Sequence, residues 1–155
     1  MLKNLLVALD GSACAEHAFD LALLLAKAES SEITACSVAD PRQTYGVGAP
    51  TMIENELLQI DLYARKIVDE ALAKAREAGV STTGAVLEGV PALEILRYAK
   101  EIGAGAIILG THRRSGLKRL FMGSVAEGVL RASEIPVITV RMEATLAPLT
   151  AEAVL

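Results

Sequence analysis

Basic side chains and glycines are concentrated in one stretch of the chain, residues 110–125, which reads GTHRRSGLKRLFMGSV. The protein has a net charge of −4, yet this stretch carries four positive charges within seven residues, on Arg113, Arg114, Lys118 and Arg119. An apolar run precedes the stretch, and Gly123 and Ser124 close it with a pair typical of a helix start. A strand, a basic loop with glycine and a helix N-terminus together form an arrangement that binds phosphate.

A second polar segment, Asp10-Gly11-Ser12, follows the first apolar run of the chain. Asp10 can accept hydrogen bonds from an adenine amino group or a ribose hydroxyl, and Ser12 suits the N-cap of the next helix. Each of these features is also common without any ligand, because Asp favours turns and surface cations are usually solvated. Their joint placement after the first and fourth predicted strands favours anion binding. The end of the second strand, near Val38, would then form a wall for a base.

The elements that position these residues follow from hydrophobic periodicity. Five apolar runs predict strands at residues 5–9, 32–39, 81–87, 106–109 and 136–140. Three- and four-residue spacings, caps and glycine stops predict helices at residues 13–28, 51–78, 92–102 and 124–132. The first helix is expected to face the core with Ala18, Leu21, Ala22 and Leu25. Residues 41–50, rich in Pro and Gly, are interpreted as either a lid or a simple connection.

This alternation predicts a single α/β domain with a parallel sheet. Ligands of such sheets bind at the carboxyl ends of the strands, where the strand order reverses. If the first and fourth strands are neighbours, the Asp10 segment and the basic stretch face each other across that crevice.

Composition excludes several other classes of protein. A pI of about 5.2 argues against a nucleic-acid binder. No apolar run reaches the length of about 18 residues that a membrane span requires, and the N-terminus has no cleavage-site pattern, so a cytoplasmic location is expected. Cys14 and Cys36 are far apart and are interpreted as small buried apolar residues rather than metal ligands. The common phosphate motifs GxxxxGK[ST] and GxGxxG do not fit.

These residues resemble the universal stress protein family. The family motif is Gly, two residues, Gly, nine residues, then Gly followed by Ser or Thr, and Gly110, Gly123 and Ser124 fall at the required positions. The segment VALDGS at residues 7–12 and the segment SVADP at residues 37–41 are also similar to the family. The resemblance covers residues 3–141, nearly the whole chain.

The resemblance implies a Rossmann-like five-stranded sheet in the order 3-2-1-4-5, with helices on both faces, in a domain at residues 1–141 followed by a tail at residues 142–155. It implies ATP or AMP, with Mg²⁺, as the ligand, and a homodimer formed through the last strand. By position, Asp10 would contact the ribose or adenine and Val38 the adenine. The phosphates would lie against Gly110, Gly123, Ser124 and Val125, and Leu9, Leu109 and Arg113 complete the predicted nucleotide site.

The chain departs from the motif at position 113, where the second glycine is Arg. A non-glycine residue at a position that requires a positive φ costs about 1–2 kcal/mol, whereas an inward guanidinium could pair with phosphate. The leading hypothesis is therefore a nucleotide-binding regulatory module of the stress response. The alternatives are a dimeric interaction protein of the same family with an empty site, and a slow ATP hydrolase, for which the sequence offers no general base other than Asp10.

Overall fold

The computed structural model describes residues 2–44, 50–111 and 123–141 of the chain. Within these ranges the strands are β1 (Asn4–Ala8), β2 (Glu32–Ala39), β3 (Thr82–Glu88), β4 (Ala106–Thr111) and β5 (Val137–Arg141). The α-helices are α1 (Ala13–Glu29), α2 (Pro50–Ala78), α3 (Pro91–Glu101) and α4 (Ser124–Ala132), and a short 3₁₀ helix spans Pro41–Thr44.

The five strands form one parallel sheet in the order β3-β2-β1-β4-β5. This order and the α/β class confirm the predicted fold. β1 lies between β2 and β4. The chain adds β2 and β3 on one side of β1 and then β4 and β5 on the other side, so the strand order reverses at β1. The carboxyl ends of β1, β2 and β4 therefore lie side by side at one edge of the sheet, where the Asp10 segment and the basic stretch were expected to face each other.

Side chains of the central strands alternate between two apolar layers. Leu5 and Val7 of β1 pack with α1 and α2, whereas Leu6 packs with α3 and α4, and all three are fully buried. Burying a side chain of this size contributes about 1.5–3 kcal/mol relative to leaving it exposed. Since the middle strands are covered on both faces, they are continuous apolar runs without alternation, as the sequence indicated.

The inward face of α1 and the end of the fourth strand differ from the prediction. In α1, Ala18 and Ala22 are buried in the core and the partly buried Leu25 packs against it, as predicted. Leu21 is only partly buried, and Phe19, Leu23 and Ala26 are buried although they were not predicted. The helix is apolar on most of its circumference, so periodicity alone does not determine its rotation. The fourth strand also continues past residue 109, because β4 pairs with β5 as far as Thr111 opposite Arg141.

Candidate functional site

A cleft of about 560 Å³ lies at the carboxyl edge of the sheet. Its floor is formed by the ends of β1, β2 and β4, one wall by α2, and the opposite wall by the first turns of α3 and α4. The volume lies within the range of about 300–1,000 Å³ that is common for small-molecule sites.

The structure brings seven of the nine sequence-predicted site residues to this cleft, namely Leu9, Asp10, Val38, Leu109, Gly110, Ser124 and Val125. Gly123 does not line the cleft but immediately precedes Ser124 as the N-cap of α4, with a φ of 87° that favours glycine. Arg113 and the other cations of the basic stretch lie outside the described residues.

Gly110 lies inside β4, opposite Val140, and not in a loop as the sequence suggested. A Cβ added to Gly110 would lie 2.5 Å from the backbone carbon of Cys14, 2.6 Å from its oxygen and 2.7 Å from the backbone nitrogen of Ala15. The lack of a side chain therefore lets β4 approach the first turn of α1. This steric role is separate from any contact with a ligand.

The segment after β1 is organised by local hydrogen bonds. The Asp10 carboxylate accepts the backbone N–H of Ser12 at 3.0 Å, and the Ser12 hydroxyl accepts the N–H of Ala15 at 3.2 Å as the N-cap of α1. Gly11 has a φ of 80°, and the Tyr63 hydroxyl on α2 occupies the space where a Cβ would lie. The exposed Asp10 side chain is thus presented at the cleft by a loop that α2 covers.

The backbone of Val38 has hydrogen-bonding groups that the sheet does not use. Pairing of β2 with β1 ends at Cys36, whose C=O accepts the N–H of Leu9 at 2.8 Å. Pairing with β3 continues to Ala39, whose C=O accepts the N–H of Gly89 at 3.0 Å. Successive residues of a strand direct their polar groups to opposite neighbours, so Val38 directs its N–H and C=O towards β1, beyond the paired part of that strand. A donor and an acceptor therefore stand side by side at the cleft.

An ion pair that the sequence analysis missed lies just beyond this point. Asp40 accepts hydrogen bonds from Arg42 Nε at 2.8 Å, Arg42 Nη2 at 2.6 Å and the backbone N–H of Arg42 at 3.0 Å. The Arg42 guanidinium holds the pKa of the Asp40 carboxyl below its ordinary value, against a smaller opposing effect of burial. Both residues line the cleft. No local sequence pattern indicated the pair, because it depends on the turn into the 3₁₀ helix.

We expect Asp40→Asn to destabilise the protein by about 1–2 kcal/mol at pH 7, because hydrogen bonds to a charged group are lost while Arg42 is half exposed. A carboxyl whose pKa is lowered by folding stabilises the native state above its unfolded pKa, and this stability is lost as the pH falls through the lower folded value. The difference between wild type and Asp40→Asn should therefore shrink below about pH 4. Urea unfolding at pH 7 and pH 3 measures it.

Asp61→Asn is the matched control for that comparison, since Asp61 forms an exposed pair with Arg65 one helical turn away on α2. Such a pair is worth about 0.5 kcal/mol or less. Equal effects of the two substitutions at pH 7 would contradict a structural role for the Asp40 pair.

The wall formed by α2 was also missed as part of a site. One stripe of the helix lines the cleft with Gln59, Ile60, Tyr63, Ala64 and Ile67. The three- and four-residue spacing of apolar residues predicted the helix, but periodicity does not reveal that its apolar face also lines a cleft. A second cleft of about 380 Å³ lies between α1 and α2, and Tyr63 lines both.

The two cysteines are buried thiols, and they belong to no metal-binding cluster among the described residues. Cys14 and Cys36 are free and buried, which confirms the predicted burial, and this burial raises the pKa of the Cys36 thiol to about 12. Across the described ranges, no cluster of three or more His, Cys, Asp or Glu side chains could hold a metal ion. Nor does any helix in those ranges have both the length and the apolar composition to cross a membrane.

Comparison with known proteins agrees with the fold. A model of the universal stress protein family matches residues 1–141. The chain is 35% identical over 148 residues to universal stress protein YxiE of Bacillus subtilis, with 91% of this chain and all of YxiE covered.

Two solved structures extend this comparison. A universal stress protein family member from Burkholderia pseudomallei is 33% identical with a TM-score of 0.70, and 90% of this chain and 96% of that chain are covered. A universal stress protein in complex with cAMP is 25% identical with a TM-score of 0.66, and the coverage is 90% and 97%.

Proposed function

The chain belongs to the universal stress protein family, and we propose that it binds an adenine nucleotide, ATP or AMP, as a regulatory module of the stress response. The nucleotide would lie in the cleft at the carboxyl ends of β1, β2 and β4. The observation that carries the proposal is the backbone edge of Val38, which lies beyond the pairing of β2 with β1 and offers a base a donor and an acceptor side by side.

Adenine is the base that matches this edge. Its N1 is an acceptor and its neighbouring 6-amino group is a donor, so the Val38 N–H would donate to N1 and the Val38 C=O would accept from the amino group. Guanine presents a donor at N1 and an acceptor at position 6, which places like groups together. Buried polar groups that are left unpaired cost about 1–3 kcal/mol, and this disfavours guanine at the site.

The other end of the cleft suits phosphate. Ser124 and Val125 lie in the first turn of α4, where backbone N–H groups have no partner within the helix and the helix dipole favours an anion. Asp10 would contact the ribose or the adenine, with Leu9 and Leu109 beneath the nucleotide. Gly123 allows the turn into α4, and Arg113 would add a guanidinium to the phosphate side.

A relative supports a nucleotide as the ligand, since the universal stress protein that is 25% identical to this chain was solved with cAMP. The charge of Asp40 is already balanced by Arg42, and Asp10 is the other carboxylate among the described residues that line the cleft. We therefore expect Mg²⁺ to be held mainly by the phosphates of ATP. When bound, Mg²⁺ would neutralise part of the phosphate charge.

Calorimetric titration of the purified protein with AMP, and with ATP in the presence of Mg²⁺, tests the proposal. We expect saturable binding with one nucleotide per chain and much weaker binding of GMP. An absence of binding at millimolar concentrations of both adenine nucleotides would refute it.

Arg113 motivates the second candidate function, a dimeric interaction protein of the same family with an empty site. If Arg113 supports phosphate binding, Arg113→Gly should weaken ATP binding by roughly tenfold, because one charge-assisted contact is lost. If Arg113 instead blocks the site, ATP binding should appear only in Arg113→Gly. Lys3→Gly removes a positive charge at the opposite edge of the sheet and controls for net charge.

We further propose that residues 1–141 form the functional domain and that β5 mediates a homodimer. β5 is an edge strand, and its residues 137–140 are only half buried in the single chain. An unpaired apolar edge favours pairing with a second copy. Light scattering tests this assembly, and a monomeric mass at micromolar concentration would contradict it.

A further inference from the structure

We infer that Asp40, held in place by Arg42, is a specificity determinant for the 6-amino group of the bound purine. The inference rests on the proposed binding of an adenine nucleotide and adds to it a side chain that reads the base. It starts from the position of the ion pair between Asp40 and Arg42, both of which line the cleft beyond the end of β2.

The two members of the pair differ in their exposure. The Asp40 side chain is 11% exposed and the Arg42 side chain is 48% exposed. Asp40 also follows the last residue of β2 directly, two positions after Val38, whereas Arg42 lies within the 3₁₀ helix. The carboxylate is therefore the inner member of the pair, adjacent to the strand end, and the guanidinium is the outer one.

The direction of β2 orients the base relative to this carboxylate. Along the strand, the N–H of Val38 comes before its C=O, so a base that pairs with both has N1 towards the start of the strand and its 6-amino group towards the end. One amino hydrogen is used by the Val38 C=O. The second amino hydrogen is directed towards the residues that follow Val38. Asp40 is the first charged residue after Val38, and it lines the cleft.

The chemistry of the carboxylate suits an amino group. Oδ1 of Asp40 accepts the backbone N–H and Nε of Arg42, and Oδ2 accepts Nη2 and shares Nε at 3.1 Å. These contacts come from three N–H groups, since Nε is shared, and an ionised carboxylate has about four acceptor sites and no donor. It can therefore accept one further amino hydrogen, and it repels a carbonyl oxygen at the same position. The Arg42 guanidinium donates to both carboxylate oxygens and therefore holds the carboxylate in one orientation. A pre-organised acceptor distinguishes an amino group from a carbonyl oxygen better than a mobile one does.

The test compares AMP with purine riboside 5′-monophosphate, which lacks only the 6-amino group and keeps N1, the ribose and the phosphate. Calorimetry gives the ratio of the two affinities for wild type, Asp40→Asn, Arg42→Lys and Asp61→Asn. We expect wild type to prefer AMP, and Asp40→Asn to reduce that preference by roughly threefold to tenfold. Arg42→Lys keeps the charge but loses the fork, so it should reduce the preference in the same direction. Asp61→Asn, on the exposed pair of α2, should leave it unchanged.

The outcomes separate this inference from the function on which it rests. Binding of AMP by wild type with no preference over the purine riboside would overturn the role of Asp40 and leave nucleotide binding intact. So would an unchanged preference in Arg42→Lys and in a folded Asp40→Asn. Failure of wild type to bind either nucleotide would overturn the proposed function, and the inference with it.

Discussion

Gly110→Ala is expected to destabilise the protein by about 3 kcal/mol, a large fraction of the stability of a domain of this size. The added methyl group would lie 2.5–2.7 Å from backbone atoms of Cys14 and Ala15. Backbone in the first turn of a helix cannot rotate away as a flexible side chain can, so β4 and α1 must separate. Urea unfolding measures the loss as a lower midpoint with an unchanged slope.

Gly103→Ala is the matched control. Gly103 has a φ of 61°, and a Cβ added there meets no atom within 4 Å, so its substitution introduces conformational strain without a clash. That strain costs about 1 kcal/mol. Gly110 does not have a positive φ, and its substitution introduces a clash without that strain. A loss for Gly110→Ala no greater than that for Gly103→Ala would contradict the close approach of β4 to α1.

This comparison bears on how a glycine in a family motif is interpreted. From the sequence, Gly110 was a phosphate-binding residue at the start of a loop. In the structure it belongs to β4 and permits the contact that brings the Asp10 segment beside the end of β4. A stability measurement without nucleotide therefore isolates the packing role of Gly110. A binding measurement alone would attribute the effect of its substitution to lost ligand contacts.

The strands themselves could be predicted from local signals, whereas their order was implied by the resemblance to the universal stress protein family. Apolar runs such as residues 106–109 identify buried strands, and the reversal of strand order at β1 determines where a ligand can bind. The ends of elements and the α2 wall of the cleft could not be predicted in this way. Whether Gly110 is strand or loop depends on pairing with β5, and whether Tyr63 covers Gly11 depends on how far α2 extends past the sheet.

The ion pair between Asp40 and Arg42 is a second feature that the sequence does not predict. Asp40 was noted only as part of the segment SVADP, and Arg42 fell in a segment interpreted as either a lid or a simple connection. Their contact requires the chain to turn directly into the 3₁₀ helix, which carries the guanidinium back onto the carboxylate. Side-chain contacts that depend on one turn have no periodic signal, although they can determine specificity at a site whose location is predictable.

The second large effect is expected from a change in the ligand. We predict that 1-deaza-AMP, in which N1 is replaced by C–H, binds roughly 10- to 100-fold more weakly than AMP, because the Val38 N–H then loses its acceptor while it remains desolvated. 7-Deaza-AMP should bind with an affinity close to that of AMP, since N7 lies on the other edge of the purine. Both analogues keep the 6-amino group, the ribose and the phosphate, and neither changes the protein, so folding cannot account for a difference between them.

The same contact can be tested from the protein side. In Val38→Pro the backbone loses the N–H that we assign to N1, but the hydrogen bonds between β2 and β3 are made by the residues on either side of it. We therefore expect the variant to retain the sheet by circular dichroism and to bind AMP and 1-deaza-AMP with equal, weak affinity. If Val38→Pro is folded and still prefers AMP over 1-deaza-AMP, N1 is recognised elsewhere in the cleft, and the assignment of the adenine to the edge of β2 is wrong.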